Sequence, residues 1–298
     1  MTATMLRRTA WAKVNLTLHI TGRRPDGLHE LESLIVFAGV GDGLEFAPAE
    51  TLTMTISGPF APAIAAEDAA GNLVLRAARA LQARLGCTAG ARMHLEKHLP
   101  VAAGIGGGSA DAAAALTGLA ELWGGGTAAL ADLAPGLGAD VPVCLAGGPS
   151  FVTGIGAGIA PVPSLPPAWL VLANPGRPLP TGAVFAARTG PFSPPQPWAG
   201  PVSDAADLAA RLAGYRNDLE PAARGLEPVI GEVLGALSAA DGCLLARMSG
   251  SGATCFGLYA SAAPARAAAE SISARRPDWW VMAAPILGRS DGEKPAGT

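Results

Sequence analysis

The chain has 298 residues, and half of them are hydrophobic but only 5% aromatic, so its core must consist mainly of aliphatic side chains and alanine. This length suits one large or two modest domains. Charged residues make up only 15%, and a formal charge of −3 argues against a protein that binds nucleic acid through phosphate contacts. Four cysteines in apolar stretches predict free buried thiols and a cytoplasmic location: Cys87, Cys144, Cys243 and Cys255.

No segment of the sequence predicts a signal peptide or a membrane span. Arg7 and Arg8 near the start are not followed by the uninterrupted apolar segment that a signal peptide needs. A long uncharged stretch separates Asp140 from Arg177, but repeated prolines within it prevent a continuous helix.

The first half of the chain shows strand and helix patterns in turn. Apolar residues at every second position from Val14 to Ile20 predict a half-buried strand whose opposite face carries Lys13 and Asn15. The period then becomes helical after Asn72, which is suited to cap the helix. The predicted elements of this half are strands at 14–20, 51–56 and 92–97 and helices at 73–85 and about 109–123.

The second half begins near a proline-rich connector at 161–167, and a domain boundary just before it gives domains of residues 1–158 and 159–298. Strands and helices are intermixed without regular alternation, which predicts an α+β protein. The predicted elements are strands at 169–173, 243–248, 253–259 and 279–284, helices at 203–213, 226–239 and 263–274, a surface loop at 191–197 and a frayed tail at 291–298.

A glycine-rich segment between a strand and a helix is the strongest local pattern. Four glycines in five positions allow a close backbone approach to a ligand, and the following helix adds unpaired N–H groups and the positive end of its dipole. This predicts a nucleotide phosphate site in preference to a flexible turn, although the segment is neither a Walker A loop nor a dinucleotide fingerprint. Its residues are Pro100, Val101, Ala102, Ala103, Gly104, Ile105, Gly106, Gly107, Gly108, Ser109 and Ala110.

Two further features are weak when each is taken alone, and a third is open between two interpretations. A lysine such as Lys13 near a strand start is usually a solvated edge charge. Asp140 precedes Val141 and a proline, which favours an extended Val141 at a loop-to-strand junction, where an aspartate is often only a cap or turn residue. The segment Gly250, Ser251 and Gly252 joins two predicted strands, either as a simple hairpin or as a second close approach to phosphates.

In their order along the chain, these motifs resemble the GHMP kinase superfamily of galactokinase, homoserine, mevalonate and phosphomevalonate kinases. Within it, the chain is similar to the kinases of 4-diphosphocytidyl-2-C-methyl-D-erythritol, from the non-mevalonate isoprenoid pathway. The resemblance implies an N-terminal domain like ribosomal protein S5 domain 2 and a ferredoxin-like C-terminal domain. It extends from about residue 10 to 260 and rests on the motifs at 12–16, 22–31, 99–110, 138–142, 217–219 and 249–252.

The resemblance also implies roles for individual residues. Lys13 and Asp140 correspond to the catalytic pair, and Asn15 corresponds to a residue that lines the erythritol pocket. ATP would be the co-substrate, with its phosphates in the glycine-rich segment and Mg²⁺ between them. The segment Gly250–Gly252 would lie near the same phosphates.

The base-binding residues implied by the resemblance include one departure from the family. His29 corresponds to the residue that hydrogen-bonds cytosine, and Phe185, which follows Thr181, corresponds to the aromatic that stacks on it. Leu28 replaces the family's usual tyrosine, so one wall of the pocket would be aliphatic. We expect weaker substrate binding, because part of a stacking free energy of about 1–3 kcal/mol is lost.

The alternatives are another small-molecule kinase of the same superfamily, acting on homoserine or mevalonate, and a catalytically silent nucleotide or sugar sensor on the same fold. His29 and Phe185 argue against the first, because those kinases have no cytosine to bind. Lys13 and Asp140 argue against the second, because a sensor needs neither. The expected partner is a small molecule, with no nucleic acid and no membrane, and the expected state is a monomer or homodimer.

Overall fold

The structure, a computed structural model, describes residues 5–65, 71–162 and 165–288; the predicted tail and residues 163 and 164 of the connector lie outside these ranges. Helices and strands are mixed along the chain, which confirms the α+β class. The first part contains β1 (Leu6–Asn15), β2 (His19–Arg23), β3 (His29–Ala49), β4 (Leu52–Ser57), α1 (Ala61–Ala65), α2 (Leu73–Leu85), β5 (Gly90–Glu96), α3 (Gly107–Trp123), α4 (Thr127–Leu137), α5 (Val141–Ala146), β6 (Ser150–Gly154) and β7 (Gly158–Pro161). The second part contains β8 (Trp169–Asn174), α6 (Thr181–Ala187), α7 (Ala205–Leu212), α8 (Glu220–Leu226), α9 (Val229–Ser238), β9 (Leu245–Met248), β10 (Cys255–Tyr259), α10 (Ala262–Arg275) and β11 (Trp280–Pro285).

The long strand β3 organises the first sheet. It pairs antiparallel with β1, β2, β5 and β6, while β4 pairs parallel with β5 and β7 pairs antiparallel with β6. The strand β3 was not predicted from the sequence. Residues 34–38 are all buried and apolar, so the strand lacks the alternation that marks a half-exposed strand.

The alanine-rich helix α3 packs closely against this sheet and beside α2. At Gly118 a Cβ atom would overlap the ring of Phe46 in β3, so glycine is needed for the approach. The prediction for α2 is confirmed, because Asn72 caps it by accepting the backbone N–H of Val74 at 2.9 Å. This packing fixes the start of α3 next to the end of β5, where the glycine-rich segment lies.

The second sheet has the strand order β11-β8-β10-β9, and all its neighbours are antiparallel. In chain order, its strands and the helices α6 to α10 follow a β-α-β-β-α-β arrangement, which is the ferredoxin-like pattern. One hydrophobic cluster joins this sheet to the first, with Val14 and Leu34 packed together with Leu172 and Phe256. The division at residues 158 and 159 stays a prediction, and β7, which spans it, pairs within the first sheet.

Two local predictions were wrong. The predicted strand at 14–20 is interrupted, because β1 ends at Asn15, β2 begins at His19 and Leu18 forms an isolated bridge with Asn217. Both faces of this segment are buried, so its polar side chains lie inside the protein. Val141 is not extended but begins α5, since Pro142 stands in the first helical turn, where proline is tolerated.

The described part of the chain contains no helix with the length and apolar character to cross a membrane. The prediction of free thiols is confirmed for all four cysteines, but only Cys255 is fully buried and the others are partly exposed.

Candidate active site

Most of the predicted site residues line one cavity of about 1360 Å³. Three do not, because Ile105 and Ala110 lie in the hydrophobic core and Gly252 lies behind the lining. The predicted residues that the cavity brings together are Lys13, Asn15, Leu28, His29, Pro100, Val101, Ala102, Ala103, Gly104, Gly106, Gly107, Gly108, Ser109, Asp140, Thr181, Phe185, Gly250 and Ser251.

A lysine and an aspartate from distant parts of the chain meet in this cavity. Lys13 Nζ in β1 donates to Asp140 Oδ2, just before α5, at 2.9 Å. The lysine side chain is 5% exposed and the aspartate side chain is 43% exposed, so the carboxylate faces the open cavity with the ammonium group behind it. The backbone N–H of Lys13 donates to Ile105 O at 3.0 Å, which places the pair directly beside the glycine-rich segment.

The glycine-rich segment ends in an abrupt helix start. Gly106 has a left-handed φ of +62°, and α3 begins at Gly107, two residues earlier than the predicted Ser109. A Cβ atom at Gly106 would lie 3.0 Å from Lys13 Cε, so a larger residue would crowd the lysine. The first N–H groups of a helix have no partner within it, and the helix dipole makes this end positive. Gly107, Gly108 and Ser109 therefore present to the cavity a helix end whose charge and N–H groups are suited to an anion.

The loop between β9 and β10 (residues 249–254, the second loop) packs on the glycine-rich segment. Ser249 Oγ donates to Gly104 O at 2.9 Å and accepts the backbone N–H of Asn15 at 3.0 Å. A Cβ atom at Gly104 would lie 2.5 Å from Ser249 O and 2.7 Å from Gly252 N. The loop is a hairpin connection, as one alternative held, and it also determines the shape of the glycine-rich segment.

Asn217 holds this second loop in place, a role that sequence reasoning missed. Its amide nitrogen donates to Met248 O and Gly250 O, both at 2.8 Å, and its amide oxygen accepts the backbone N–H of Leu219 at 2.9 Å. The sequence signal was an Asn-Asp turn before a helix, which reads as a simple cap. Only the fold shows that the amide faces a loop 31 residues later.

A buried ionic cluster lies under the start of α3. Lys97 Nζ contacts Asp42 Oδ2 at 2.5 Å and Asp111 Oδ2 at 2.7 Å. Asp42 also accepts the backbone N–H groups of His98 and Leu99, at 2.6 and 2.8 Å, through its other oxygen. No role for Asp111 was predicted from the sequence, because its partner Lys97 is 14 residues earlier in the chain and only the fold brings the two side chains together.

Burial controls the protonation of this cluster. It raises the pKa of Asp111 to about 7, against the opposing charge of Lys97, and nearby Asp42 raises it further. Burial lowers the pKa of Lys97, but the two carboxylates outweigh it, so the net pKa of the lysine is raised. The ammonium group is therefore charged at neutral pH and ties β3, β5 and α3 together.

His29 and Phe185 form an aromatic pair in another part of the cavity. Their ring centroids are 5.1 Å apart and the planes are inclined by 34°. Burial, with smaller contributions from Arg23 and Arg188, lowers the pKa of the histidine below its usual value of 6.5, so the imidazole is neutral at neutral pH. Leu28 beside it is 51% exposed.

Thr181 at the start of α6 connects this region to the second loop, because its hydroxyl lies 2.9 Å from Ser251 Oγ. The predicted base-binding residues are therefore in the same cavity as the lysine–aspartate pair.

Comparison with protein families identifies two domains in the chain. The model described as GHMP kinases N terminal domain matches residues 72–148, and the model described as GHMP kinases C terminal matches residues 201–278. The matched ranges contain the glycine-rich segment and Asp140 in the first case, and the loop at 249–252 in the second.

Relatives and solved structures specify the family further. Proteins named 4-diphosphocytidyl-2-C-methyl-D-erythritol kinase are 58% identical in Paramagnetospirillum magneticum, over 93% of this chain and 96% of the relative, and 54% identical in Cereibacter sphaeroides, over 95% and 100%. A crystal structure of 4-(cytidine 5'-diphospho)-2C-methyl-D-erythritol kinase matches with a TM-score of 0.77 and 36% identity, over 95% of this chain and 100% of that one. Homoserine kinase from Cytophaga hutchinsonii shares only the fold, with a TM-score of 0.67 and 18% identity over 98% and 97% of the two chains. The chain therefore belongs to the GHMP kinases and, within them, to the 4-diphosphocytidyl-2-C-methyl-D-erythritol kinase family.

Proposed function

We propose that the protein is an ATP-dependent kinase that phosphorylates the 2-hydroxyl of 4-diphosphocytidyl-2-C-methyl-D-erythritol, giving the 2-phosphate and ADP in the non-mevalonate isoprenoid pathway. The observation that carries the proposal is the 2.9 Å contact of Lys13 with Asp140 beside the glycine-rich segment, in one cavity. The names of the relatives that align with nearly the whole chain support the same substrate.

ATP would bind with its terminal phosphates at the start of α3. Phosphoryl transfer depends mainly on positioning and on neutralising charge, so a fixed set of N–H donors is the appropriate device. Gly106, Gly107 and Gly108 would supply these donors, and the helix dipole would favour the negative charge. Gly250 and Ser251 line the cavity from the second loop and would limit the position of the same phosphates.

Asp140 would orient the substrate hydroxyl and accept its proton as the oxygen attacks the γ-phosphorus atom. Its carboxylate is open to the cavity, whereas the ammonium group of Lys13 is enclosed behind it. Lys13 would orient the carboxylate and offset negative charge on the group being transferred. The two side chains would therefore act together on one hydroxyl.

Mg²⁺ fits this cavity if nucleotide phosphates supply most of its ligands. The described residues contain no group of three or more His, Cys, Asp or Glu side chains that could hold a metal ion by themselves. Magnesium bound with a nucleotide needs only one or two protein oxygens, and Ser109 and Asp140 line the cavity near the glycine-rich segment. Bound there, the ion would neutralise charge that develops on the phosphates.

His29 and Phe185 would hold the cytosine, with the neutral imidazole hydrogen-bonding the base and the phenyl ring stacking on it. Leu28 would form the opposite wall and Thr181 would line the same pocket. Asn15 would contact the erythritol part, close to Lys13. These residues favour a cytidine substrate over the alternatives, homoserine and mevalonate, which carry no base.

A catalytically silent sensor is the second alternative, and the Lys13–Asp140 contact disfavours it. The further expectations are a small-molecule partner, no nucleic acid or membrane partner, a monomer or homodimer, and action in the cytoplasm. ATP binding without ADP production on any of the three alcohols would favour the sensor.

The test measures ADP release with 4-diphosphocytidyl-2-C-methyl-D-erythritol, homoserine and mevalonate as acceptors. We expect turnover with the first alone, and we expect Asp140→Asn to lower kcat by about 10²–10⁴-fold while ATP still binds. Asp132→Asn is the matched control, because Asp132 in α4 is exposed and pairs with Arg84 in α2, outside the cavity. Near-normal kcat in Asp140→Asn would remove this residue from the mechanism.

A further inference from the structure

Two arginines in the cavity are not neutralised by carboxylates. Four Lys and Arg side chains line the cavity, and Lys13 and Lys97 are paired with aspartates. The other two, Arg23 and Arg188, form no ion pair within residues 5–65, 71–162 and 165–288. By contrast, Arg24 in the same turn as Arg23 pairs with Asp26 at 2.9 Å. The cavity therefore presents two unneutralised positive charges.

Both arginines lie beside the aromatic pair. Arg23 in β2 is directly opposite His29 in β3, and opposite residues of an antiparallel pair project from the same face of the sheet. Arg188 directly follows α6 as its C-terminal cap, three residues after Phe185. Both positive charges contribute to the lowered pKa of His29, which agrees with this placement.

The two guanidinium groups differ in how firmly they are held. Arg188 donates to Gly190 O at 3.3 Å and to Pro191 O at 2.5 Å. Its guanidinium carbon lies 5.1 Å from the centroid of the Phe192 ring. Its Nε atom is buried and has no hydrogen-bond partner in the described part of the protein. Arg188 is therefore a fixed charge.

Arg23 keeps most of its donors for a ligand. Its Nε donates a hydrogen bond to Gly27 O at 3.3 Å. In the described part of the chain, its two terminal nitrogens make no hydrogen bond to protein. A planar guanidinium fork fits the oxygens of a phosphate group better than any other side chain does. Arg23 is therefore positioned and free to bind an anion next to the base pocket.

The distance between the base pocket and the catalytic pair requires a connecting group in the substrate. Asn15, which lies two residues after Lys13, is opposite Ile35 in β3. His29 lies in the same strand, six residues before Ile35. Six residues of strand extend for about 20 Å. A base at His29 and a hydroxyl at Asp140 must therefore belong to an extended molecule. Its base end, with the phosphates attached to the nucleoside, lies level with Arg23, and its hydroxyl end lies toward Lys13.

We propose that Arg23, with Arg188 as a second fixed charge, binds the diphosphate that connects the cytidine and erythritol parts of the substrate. The pair thereby selects a nucleoside diphosphate over an uncharged nucleoside. This inference rests on the proposed function, because it takes the base to be held by His29 and Phe185. It assigns to this chain a phosphate contact separate from the anion-binding start of α3.

The test uses calorimetric titration of the full chain with CDP, CMP and cytidine at low salt. We expect wild-type protein to bind CDP more tightly than cytidine. Arg23→Gln should weaken CDP binding by about tenfold, the size of one hydrogen bond to a charged group, and leave cytidine binding unchanged. Arg23→Lys should restore part of the loss, and added salt should reduce the difference between CDP and cytidine. Arg24→Gln is the matched control, since its side chain is already paired with Asp26.

Four results would decide against the inference. Equal losses in Arg23→Gln and Arg24→Gln would attribute the effect to the overall charge of the turn. Equal losses for CDP and cytidine would indicate a damaged base pocket. No loss for CDP, in a variant that still phosphorylates the cytidine substrate, would overturn the role of Arg23 and leave the proposed function intact. A wild-type protein that binds none of the three ligands and phosphorylates no cytidine substrate would overturn both.

Discussion

The orientation of single polar side chains decides what this cavity can bind. The amide nitrogen of Asn15 donates to Ser33 Oγ at 2.7 Å, and Ser33 in turn donates to Thr17 O at 2.6 Å. This relay fixes the Asn15 amide, so its Oδ1 is left buried and without a partner among the described residues. An unsatisfied buried acceptor destabilises the free protein by about 1–3 kcal/mol. A substrate hydroxyl that donates to Asn15 would remove this cost on binding.

Leu28→Tyr tests the missing aromatic wall of the base pocket. We expect the variant to lower the KM for the cytidine substrate by about tenfold, because stacking on a base contributes about 1–3 kcal/mol and leucine replaces only part of it. Steady-state kinetics with saturating ATP would measure the change. Leu226→Tyr is the control, since Leu226 is similarly exposed at the end of α8 but does not line the cavity. An unchanged or higher KM in Leu28→Tyr would show that the substrate does not stack there.

At the scale of elements, the glycine-rich segment takes its shape from the loop that packs on it. Thr254 donates its backbone N–H to Ala103 O at 3.1 Å, and Ser249 bonds to Gly104 O, so two successive carbonyls are held from the second sheet. Because each segment is rich in small residues, the sequence predicts a close backbone approach at both. It does not predict that each is the close neighbour of the other, because 145 residues separate them.

Gly104→Ala should disrupt this contact. Its φ of +73° disfavours a side chain, and the new Cβ would meet backbone atoms of the second loop at 2.5–2.7 Å. We expect the free energy of unfolding of the variant to be about 1–3 kcal/mol lower than that of the wild type. We also expect the variant to bind ATP more weakly. Urea denaturation and calorimetry would measure both effects.

The matched control is Gly136→Ala in α4, where a Cβ would have nothing within 4 Å. Alanine in a helix should be neutral there or stabilising by up to about 1 kcal/mol. If both variants behave alike, the contact at Gly104 does not shape the segment.

Elements with local signals were predicted well, and those that depend on tertiary contacts were not. The bounds of α2 were predicted residue for residue, because the amphipathic period and the cap Asn72 are both local signals. By contrast, the centre of β3 is buried on both sides, and α5 begins at Val141, just before a proline that was taken to favour extended structure. The pairing of Lys13 with Asp140 followed only from the resemblance to the family, since no local rule connects β1 with α5.

At the scale of the whole molecule, buried polar groups connect the two sheets. Arg247 in β9 donates to Leu16 O at 2.7 Å, and also to Leu212 O and Tyr215 O at 2.8 and 2.7 Å. Burial lowers the pKa of this arginine to about 10, so it is still charged at neutral pH. The gap between β1 and β2 is therefore filled by contacts from the second half of the chain, and these contacts explain why the alternating pattern at 14–20 does not give one strand.

The cluster of Asp42, Lys97 and Asp111 should make global stability depend on pH. The pKa of Asp111 is about 7 in the folded protein and 3.8 ordinarily, so between these values the folded state binds an additional proton. This contribution to stability is complete below the ordinary pKa and is lost as the pH rises through about 7. Asp111→Asn removes it, because the amide cannot ionise.

Urea denaturation at several pH values would measure this effect. From about pH 5 to pH 8, the free energy of unfolding of the wild type should fall relative to that of Asp111→Asn. Asp241→Asn, which changes an exposed aspartate just after α9, should follow the wild type. Parallel curves for the wild type and Asp111→Asn would mean that Asp111 keeps the same charge throughout.

The dependence of the glycine-rich segment on β9 and β10 also affects the order of events during biosynthesis. Ribosomes deliver the chain from its N-terminus, so the glycines emerge long before Ser249 and Thr254. A nascent polypeptide without β9 and β10 has the glycine-rich segment but not the loop that determines its shape. We therefore expect the growing chain to bind nucleotide only after β9 and β10 have left the exit tunnel.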